Sequence, residues 1–319
     1  MSSHEGKFPK SEIRKHYFLD HYAIIAPGRL KRPHLLPQMQ LDSSASAATC
    51  VFCPGHDHEN PPIFRVKDPK HPGDWLINVI GNKYPAVSLD NPSAYGYQEI
   101  LIETPEHAKQ LPHLSIDQIM RVFDVMHDRI LYIESLPHIR YVIAFKNEGG
   151  TAGASVPHAH SQITGLPFVP PAIIDEATKV DEYMVENDSC IWCEIASDEV
   201  KTERRVITNE HISAFTPYAS LNPYEVWIMP RHHRTRLDQL SRTEMRAFAE
   251  ATKKILLHLE LHGLAYNFYL HQSLNPGSQH LHLVVKPRPN TWGGLELGAG
   301  LIINPVSPEE AAAFYRTKV

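Results

Sequence analysis

Short apolar runs alternate with two longer stretches of helical spacing along this chain. Residues 22–26, 75–80, 98–103, 141–145, 205–208, 225–229 and 266–270 read as strands, rich in β-branched or aromatic residues and bounded by turn formers. Ser115-Ile116-Asp117-Gln118 and Ser241-Arg242-Thr243-Glu244 read as capping boxes that open two helices. The first turns Ile119, Val122, Phe123, Met126, Ile130 and Ile133 inward. The second does the same with Met245, Phe248, Ile255, Leu256 and Leu259.

These elements recur in one order. A C-x-x-C pair, strands, a lone histidine, a capped helix, a strand and a two-histidine strand appear once from Cys50 and again from Cys190. From the first cysteine to the lone histidine the chain runs 57 residues in one copy (50 to 107) and 43 in the other (190 to 233). From there to the histidine pair it runs 51 residues (107 to 158) and 47 (233 to 280). Loop length accounts for the differences. The pattern predicts a duplicated α+β fold, with two mostly antiparallel sheets each packed by a long helix. The halves are expected at 1–166 and 167–319, joined across 167–189, where Pro170-Pro171 stands. A short helix over 175–186 and a last one over 307–315, with Pro308 in its first turn, complete the expectation.

The duplication also predicts chemistry. Recurrent Cys, Cys, His, His points to two closed tetrahedral metal sites, most plausibly structural zinc: Cys50, Cys53, His107, His158 and Cys190, Cys193, His233, His280. A redox reading fits less well, because Cys50 follows a loop-like segment rather than opening a helix after a strand.

The stretch 141–166 carries the candidate reaction. A buried strand leads into a loop with Gly149, Gly150 and Gly153, and then into His158-Ala159-His160-Ser161-Gln162. Alternation places His158, His160 and Gln162 on one strand face. With His158 assigned to metal, His160 is free to attack phosphorus, provided its other nitrogen is pinned by an acceptor. Ser155 and the glycine N–H groups, Gly153 included, are expected to hold phosphate oxygens, and Gln162 to bond a non-bridging oxygen. Two purely structural or metal-binding histidines are the plainer alternative. Arg29 and Arg32, after the first strand, are natural phosphate partners, and a solvated basic turn is the other reading of that segment. His282 occupies the corresponding place in the second copy but is followed by Leu283 and Val284. One copy is therefore expected to hold the chemistry.

The balance of 31 basic against 36 acidic residues, net −5, gives no general attraction for nucleic acid or an acidic membrane. No apolar run approaches the roughly 18 residues of a membrane span. The polar start lacks a secretory signal, so a soluble cytoplasmic protein is expected.

Asn82-Lys83-Tyr84-Pro85, Asn147-Glu148-Gly149-Gly150, Ser155 and His158-Ala159-His160-Ser161-Gln162 together resemble the galactose-1-phosphate uridylyltransferase family of the histidine-triad superfamily. The resemblance implies His160 as the nucleophile, with Gln162 and Ser155 on the transferred phosphate. It adds Arg29, Arg32, Asn82 and Asn147 as nucleotide contacts, zinc as the metal, and commonly a homodimer; Gly153 of the glycine loop and Ser161 beside His160 are expected substrate contacts as well. Ala159 stands where the family has proline, and Tyr22 where it usually has tryptophan. Residues 293–305, with Ala299-Gly300 in place of a Tyr-Glu pair, are more similar to the ADP-glucose phosphorylase branch. The transferases often build a second metal site from a glutamate and three histidines, for which Glu176, His271, His280 and His282 are the rival set here. The implied partners are a nucleotide sugar and a sugar phosphate or phosphate. Hydrolysis by a histidine-triad enzyme, or a non-catalytic zinc-stapled nucleotide-binding protein, are the alternatives.

Overall fold

A computed structural model describes residues 10–31, 47–71, 73–273 and 279–318. Near the N-terminus β1 (Glu12–Lys15) and β2 (Tyr22–Ile25) form a hairpin. The first half then supplies β3 (Pro62–Lys67), β4 (Trp75–Gly81), β5 (Tyr97–Ile102), helix α1 (Ile116–Glu134), β6 (Tyr141–Glu148) and β7 (His160–Leu166). Helices α2 (Pro171–Asn187) and α3 (Ile191–Glu199) follow. The second half supplies β8 (Arg205–Thr208), β9 (Ile212–Phe215), β10 (Val226–Pro230), α4 (Arg242–Leu261), β11 (Tyr266–His271) and β12 (His282–Pro287). Helix α5 (Gly294–Ala299), β13 (Ile302–Asn304) and helix α6 (Pro308–Arg316) end the chain.

The mixed α+β class holds, and the strand order explains how the repeat is used. Ten strands run β3-β4-β5-β7-β6-β11-β12-β10-β9-β8, so the second five repeat the order of the first from the other end. The halves meet at β6 and β11, which pair antiparallel with Asn147 opposite Asn267. One continuous sheet results because each copy left its innermost strand edge unpaired, and two unsatisfied edges close on each other. A separate three-stranded sheet, β1-β2-β13, ties the first strands to the last. It is reinforced where Arg14 donates to both carboxylate oxygens of Glu309 at 3.0 and 3.2 Å.

Both long helices cover one face of the large sheet. They bury the apolar stripes expected from sequence and meet through Phe123 and Phe248, edge to face at 5.3 Å between centroids. Gly165 lets α1 lie close on β7, since a Cβ there would collide with the Ile133 side chain. The capping box of α4 is complete, with Ser241 and Glu244 bonded reciprocally. That of α1 is half formed. Ser115 accepts from the Gln118 N–H, but the Gln118 amide is drawn instead to the carbonyls of Leu76 and Glu103, at 2.8 and 3.0 Å. The expected joining segment at 167–189 is mostly α2, which buries Glu176 and Val180. Helix α3 and strand β9 were not visible as periodic segments in the sequence.

Candidate active site

Strand β7 begins at His160, and alternation divides its side chains between two faces. Ser161 and Ile163 point to the helices, whereas His160 and Gln162 point the other way. The His160 ring Nδ1 lies 2.8 Å from the His158 carbonyl. A carbonyl only accepts, so Nδ1 carries the proton and Nε2 keeps a free lone pair. Burial, and behind it the Lys146 cation, lowers the His160 pKa to about 4, which leaves the ring neutral near pH 7. Phe52 walls the ring edge-on at 5.2 Å between centroids.

The neighbouring histidine is held in the opposite tautomer. His158 Nε2 is 2.7 Å from the Thr104 carbonyl, so its Nδ1 is bare and faces Cys50 Sγ at 3.6 Å and Cys53 Sγ at 3.5 Å. His107 Nδ1 stands 3.4 Å from Cys53 Sγ. With bonds of about 2.3 Å to sulfur and 2.0–2.1 Å to nitrogen, a tetrahedral metal requires S···N edges of about 3.5 Å. The donors fit that frame, and all four ligand atoms lie within 4.8 Å of one another.

In the second half Cys190, Cys193 and His233 form a similar group, with Cys193 Sγ 3.5 Å from His233 Nδ1. His280 stands beside this group rather than within it. Its ring is 5.3 Å from that of His233, its Nδ1 faces the Leu281 carbonyl, and its Nε2 is buried with no hydrogen-bond partner among the described residues. Glu176, His271 and His282 form a third group within the same 4.8 Å limit. Three members of the cysteine set and three of the rival carboxylate set thus stand grouped in one half, and His280, expected in either set, belongs to neither group.

The remaining predicted residues divide. Asn82 closes a turn by accepting from the Tyr84 N–H at 2.9 Å. Its segment is latched to β5 through Ala86 N–H and the Gln98 side chain at 3.0 Å. Gln98 in turn donates to Gln162 Oε1 at 3.2 Å, which brings the 82–86 turn to the strand that carries His160. Asn147 lies on the same face from β6, and Ser155 is exposed on the loop before His158. Gly153 has φ +86°, and a Cβ there would sit 3.9 Å from Asn147 Nδ2.

Two roles need correction. The Gly153 N–H is spent on the Gly150 carbonyl at 3.0 Å, so glycine is called for there by its left-handed φ and not by an N–H offered to phosphate. Ser161 is fully buried on the helix side, donating to Glu103 Oε1 at 2.7 Å, and cannot meet a substrate beside His160. Arg32 lies outside the described residues. Arg29 is exposed on the 27–31 turn after β2, and among the described residues no hydrogen bond joins it to the His160 face.

Sequence reasoning missed a buried ionic group under β7. Lys146, wholly buried, reaches Glu103 at 3.0 Å, Glu148 at 3.3 Å and the His160 carbonyl at 3.0 Å. A lysine and two glutamates at alternate positions of otherwise apolar strands were the available signal. Gln98 and Asn267 carry no such signal, being single amides in unremarkable strands.

The family model for the galactose-1-phosphate uridyl transferase N-terminal domain matches residues 5–170. The chain belongs to that family. It is 30% identical to the ADP-glucose phosphorylase of Arabidopsis thaliana over 96% of this chain and 92% of that protein. It is 25% identical to the galactose-1-phosphate uridylyltransferase of Thermotoga maritima over 94% and 96%. The crystal structure of the Arabidopsis phosphorylase with bound ADP-glucose superposes with a TM-score of 0.84, covering 98% of this chain and 99% of that one. A uridylyltransferase structure, 30% identical, reaches 0.73 over 96% and 97%. Membership of the uridyl transferase family makes the chain an enzyme of the nucleotidyltransferase class. No helix among the described residues is long and apolar enough to cross a membrane.

Proposed function

We propose that the protein moves a nucleoside monophosphate between phosphorylated acceptors by a ping-pong route through His160. The single observation that carries this is the tautomer lock, which leaves His160 Nε2 unprotonated on a face shared with the Gln162 and Asn147 amides. The Nε2 lone pair attacks the α-phosphorus of a nucleoside diphosphate hexose. The bond from that phosphorus to the bridging oxygen breaks, and the hexose 1-phosphate departs with the electron pair. The ring's developing positive charge is shared through Nδ1–H with the His158 carbonyl. An acceptor oxygen then attacks the same phosphorus from the other side and restores neutral His160. Positioning and charge stabilisation supply most of such a reaction, so a nucleophile and its donors suffice.

The residues proposed for catalysis and substrate lie in the first half, 1–166. Asn267, from the second half, 167–319, reaches Asn147 across the sheet. Cys50, Cys53, His107 and His158 hold a structural zinc, and Cys190, Cys193 and His233 hold a second, with the neighbouring His280 able to complete it only by moving into the group. Zinc supplies no chemical step here; it clamps the segment before β7. A phosphorylase, with inorganic phosphate as acceptor and an adenine nucleotide sugar as donor, is favoured by Ala299-Gly300 at the end of α5 and by the match to the Arabidopsis structure.

The test is intact mass after incubation with ADP-glucose or with UDP-glucose and no acceptor. Gain of one AMP from the former is expected, with discharge by phosphate faster than by galactose 1-phosphate. Continuous monophosphate release without label would mean hydrolysis instead.

A further inference from the structure

Two amides face the substrate side of His160, and each can turn over, exchanging a donor for an acceptor. A phosphate oxygen only accepts, so the site works only if both present NH2. Something that cannot turn over must set them. The structure supplies such an anchor twice.

The Ala86 N–H can only donate, so the Gln98 end it meets at 3.0 Å is Oε1. That places Gln98 Nε2 against Gln162, at 3.2 Å, and Gln162 must answer with Oε1. The Gln162 NH2 is thereby left for the His160 face. The second anchor has the opposite sign and gives the same outcome. The Ala152 carbonyl can only accept, so the Asn267 end it meets at 2.8 Å is Nδ2. The other hydrogen of that NH2 goes to Asn147 Oδ1 at 2.8 Å, which leaves the Asn147 NH2 as donor beside the Gly153 loop. Arg288 donates to the free Asn267 oxygen at 3.4 Å and agrees in sign. Neither Gln162 Nε2 nor Asn147 Nδ2 donates to a protein group among the described residues.

We infer that Gln98 and Asn267 are positioning residues that fix the polarity of the two amides aimed at the transferred phosphate. Asn267 does so from the other half of the molecule, across the central β6–β11 pair. This rests on the nucleotidyl-transfer reading and extends it to residues that need not touch substrate.

The test uses reversal of sign rather than removal. Gln98→Glu keeps the shape and the Ala86 bond but can only accept, so Gln162 must turn its NH2 inward and offer oxygen to the phosphate. Gln98→Met leaves Gln162 free to choose. Single-turnover labelling of His160 at saturating ADP-glucose and UDP-glucose is expected to fall about a hundredfold in Q98E and only a fewfold in Q98M. A packing role predicts the reverse order, since Glu is the closer replacement. In a Gln162→Met background the two should label within about threefold of each other. If Q98E remains the slower there, charge repulsion accounts for the effect and the relay is overturned. Equal rates for Q98E and Q98M with Gln162 in place overturn it too. A wild-type protein that takes no label from either nucleotide sugar overturns the transfer reading and the relay with it. Should Q98E fail to fold, by its thermal melt, Asn267→Asp against Asn267→Leu poses the same question through Asn147.

Discussion

His160 and His282 open equivalent strands in the two halves and are held alike. Each ring donates from Nδ1 to the carbonyl two residues back, at 2.8 and 2.9 Å, and burial lowers both pKa values, to about 4 and about 3. Orientation and protonation state therefore do not separate them. Their neighbours do. His160 is followed on its face by Gln162, whereas His282 is followed by Val284. Trp192 covers the His282 ring at 4.4 Å and His271 stacks on it at 4.7 Å, with the Glu176 carboxylate in the same group. The space left there is a cavity of about 100 Å³, which Glu225 and Lys286 also line. A carboxylate beside an imidazole repels a phosphate and attracts a cation. Two amide NH2 groups do the opposite. A duplicated scaffold provides the same imidazole posture twice, and in the proposed reaction the surrounding donors decide which copy is used.

The largest expected effect tests that division directly. His160→Gly should abolish labelling by nucleotide sugar, measured by intact mass, while His282→Asn should still take up the label. Label retained in H160G would place the nucleophile elsewhere and end the comparison. Next come the cysteine groups. Cys50→Ser opens the clamp directly before β7, and Cys190→Ser opens the one in the second half, so each should lower zinc content by about one equivalent and cost several kcal/mol of stability. Only C50S should also slow labelling of the protein that remains folded. Equal slowing by C190S would show that the two clamps do not belong to separate sites.

Much of this was legible in the residues because it is periodic or repeated. Both long helices, the paired histidine strands and the first cysteine–histidine group follow from spacing alone. The joining of the sheets was not, since edge pairing of β6 with β11 depends on which strand each copy leaves unpaired. Ser161 was misplaced because its family motif is contiguous in sequence while strand alternation sends it to the opposite face. Helix α3 was hidden because its nine residues are too few to show a period. Lys146 was hidden for a different reason. It is a charge within an apolar run; Glu148 shares its strand face, but Glu103 comes beside it only once the strands are aligned.

That lysine sharpens the comparison between halves at the level of stability. Burial alone would lower the Lys146 pKa, but the Glu103 and Glu148 carboxylates more than offset this and raise it. Lys146→Met would leave Glu103 and Glu148 buried without their cation, an expected loss of about 3–5 kcal/mol by denaturant unfolding. In the other half Lys286 stands on the sheet face away from the long helices, a quarter exposed and 3.9 Å from Glu225. Lys286→Met should cost about 1 kcal/mol or less. Similar losses would mean that the buried group under β7 is not the tighter of the two.

The smallest effect concerns the helix starts. Ser115 and Ser241 each accept a backbone N–H at the first turn, but only Ser241 donates its own N–H in return, to the Glu244 carboxylate at 2.8 Å. Either serine changed to alanine should cost about 1 kcal/mol. The partners should differ more than the caps. Gln118→Ala removes two bonds that pin α1 to the Leu76 and Glu103 carbonyls, in the segment just past the end of β5 and beside Thr104, whose carbonyl orients His158. Glu244→Ala removes a cap and the Arg234 ion pair but touches no bond to the sheet. Gln118→Ala should therefore loosen zinc at the first cysteine group, read by the rate of its removal with a chelator, while Glu244→Ala leaves that rate unchanged. Equal rates in the two variants would show that the half-formed box of α1 is a local feature of the helix and not a tie between helix and site.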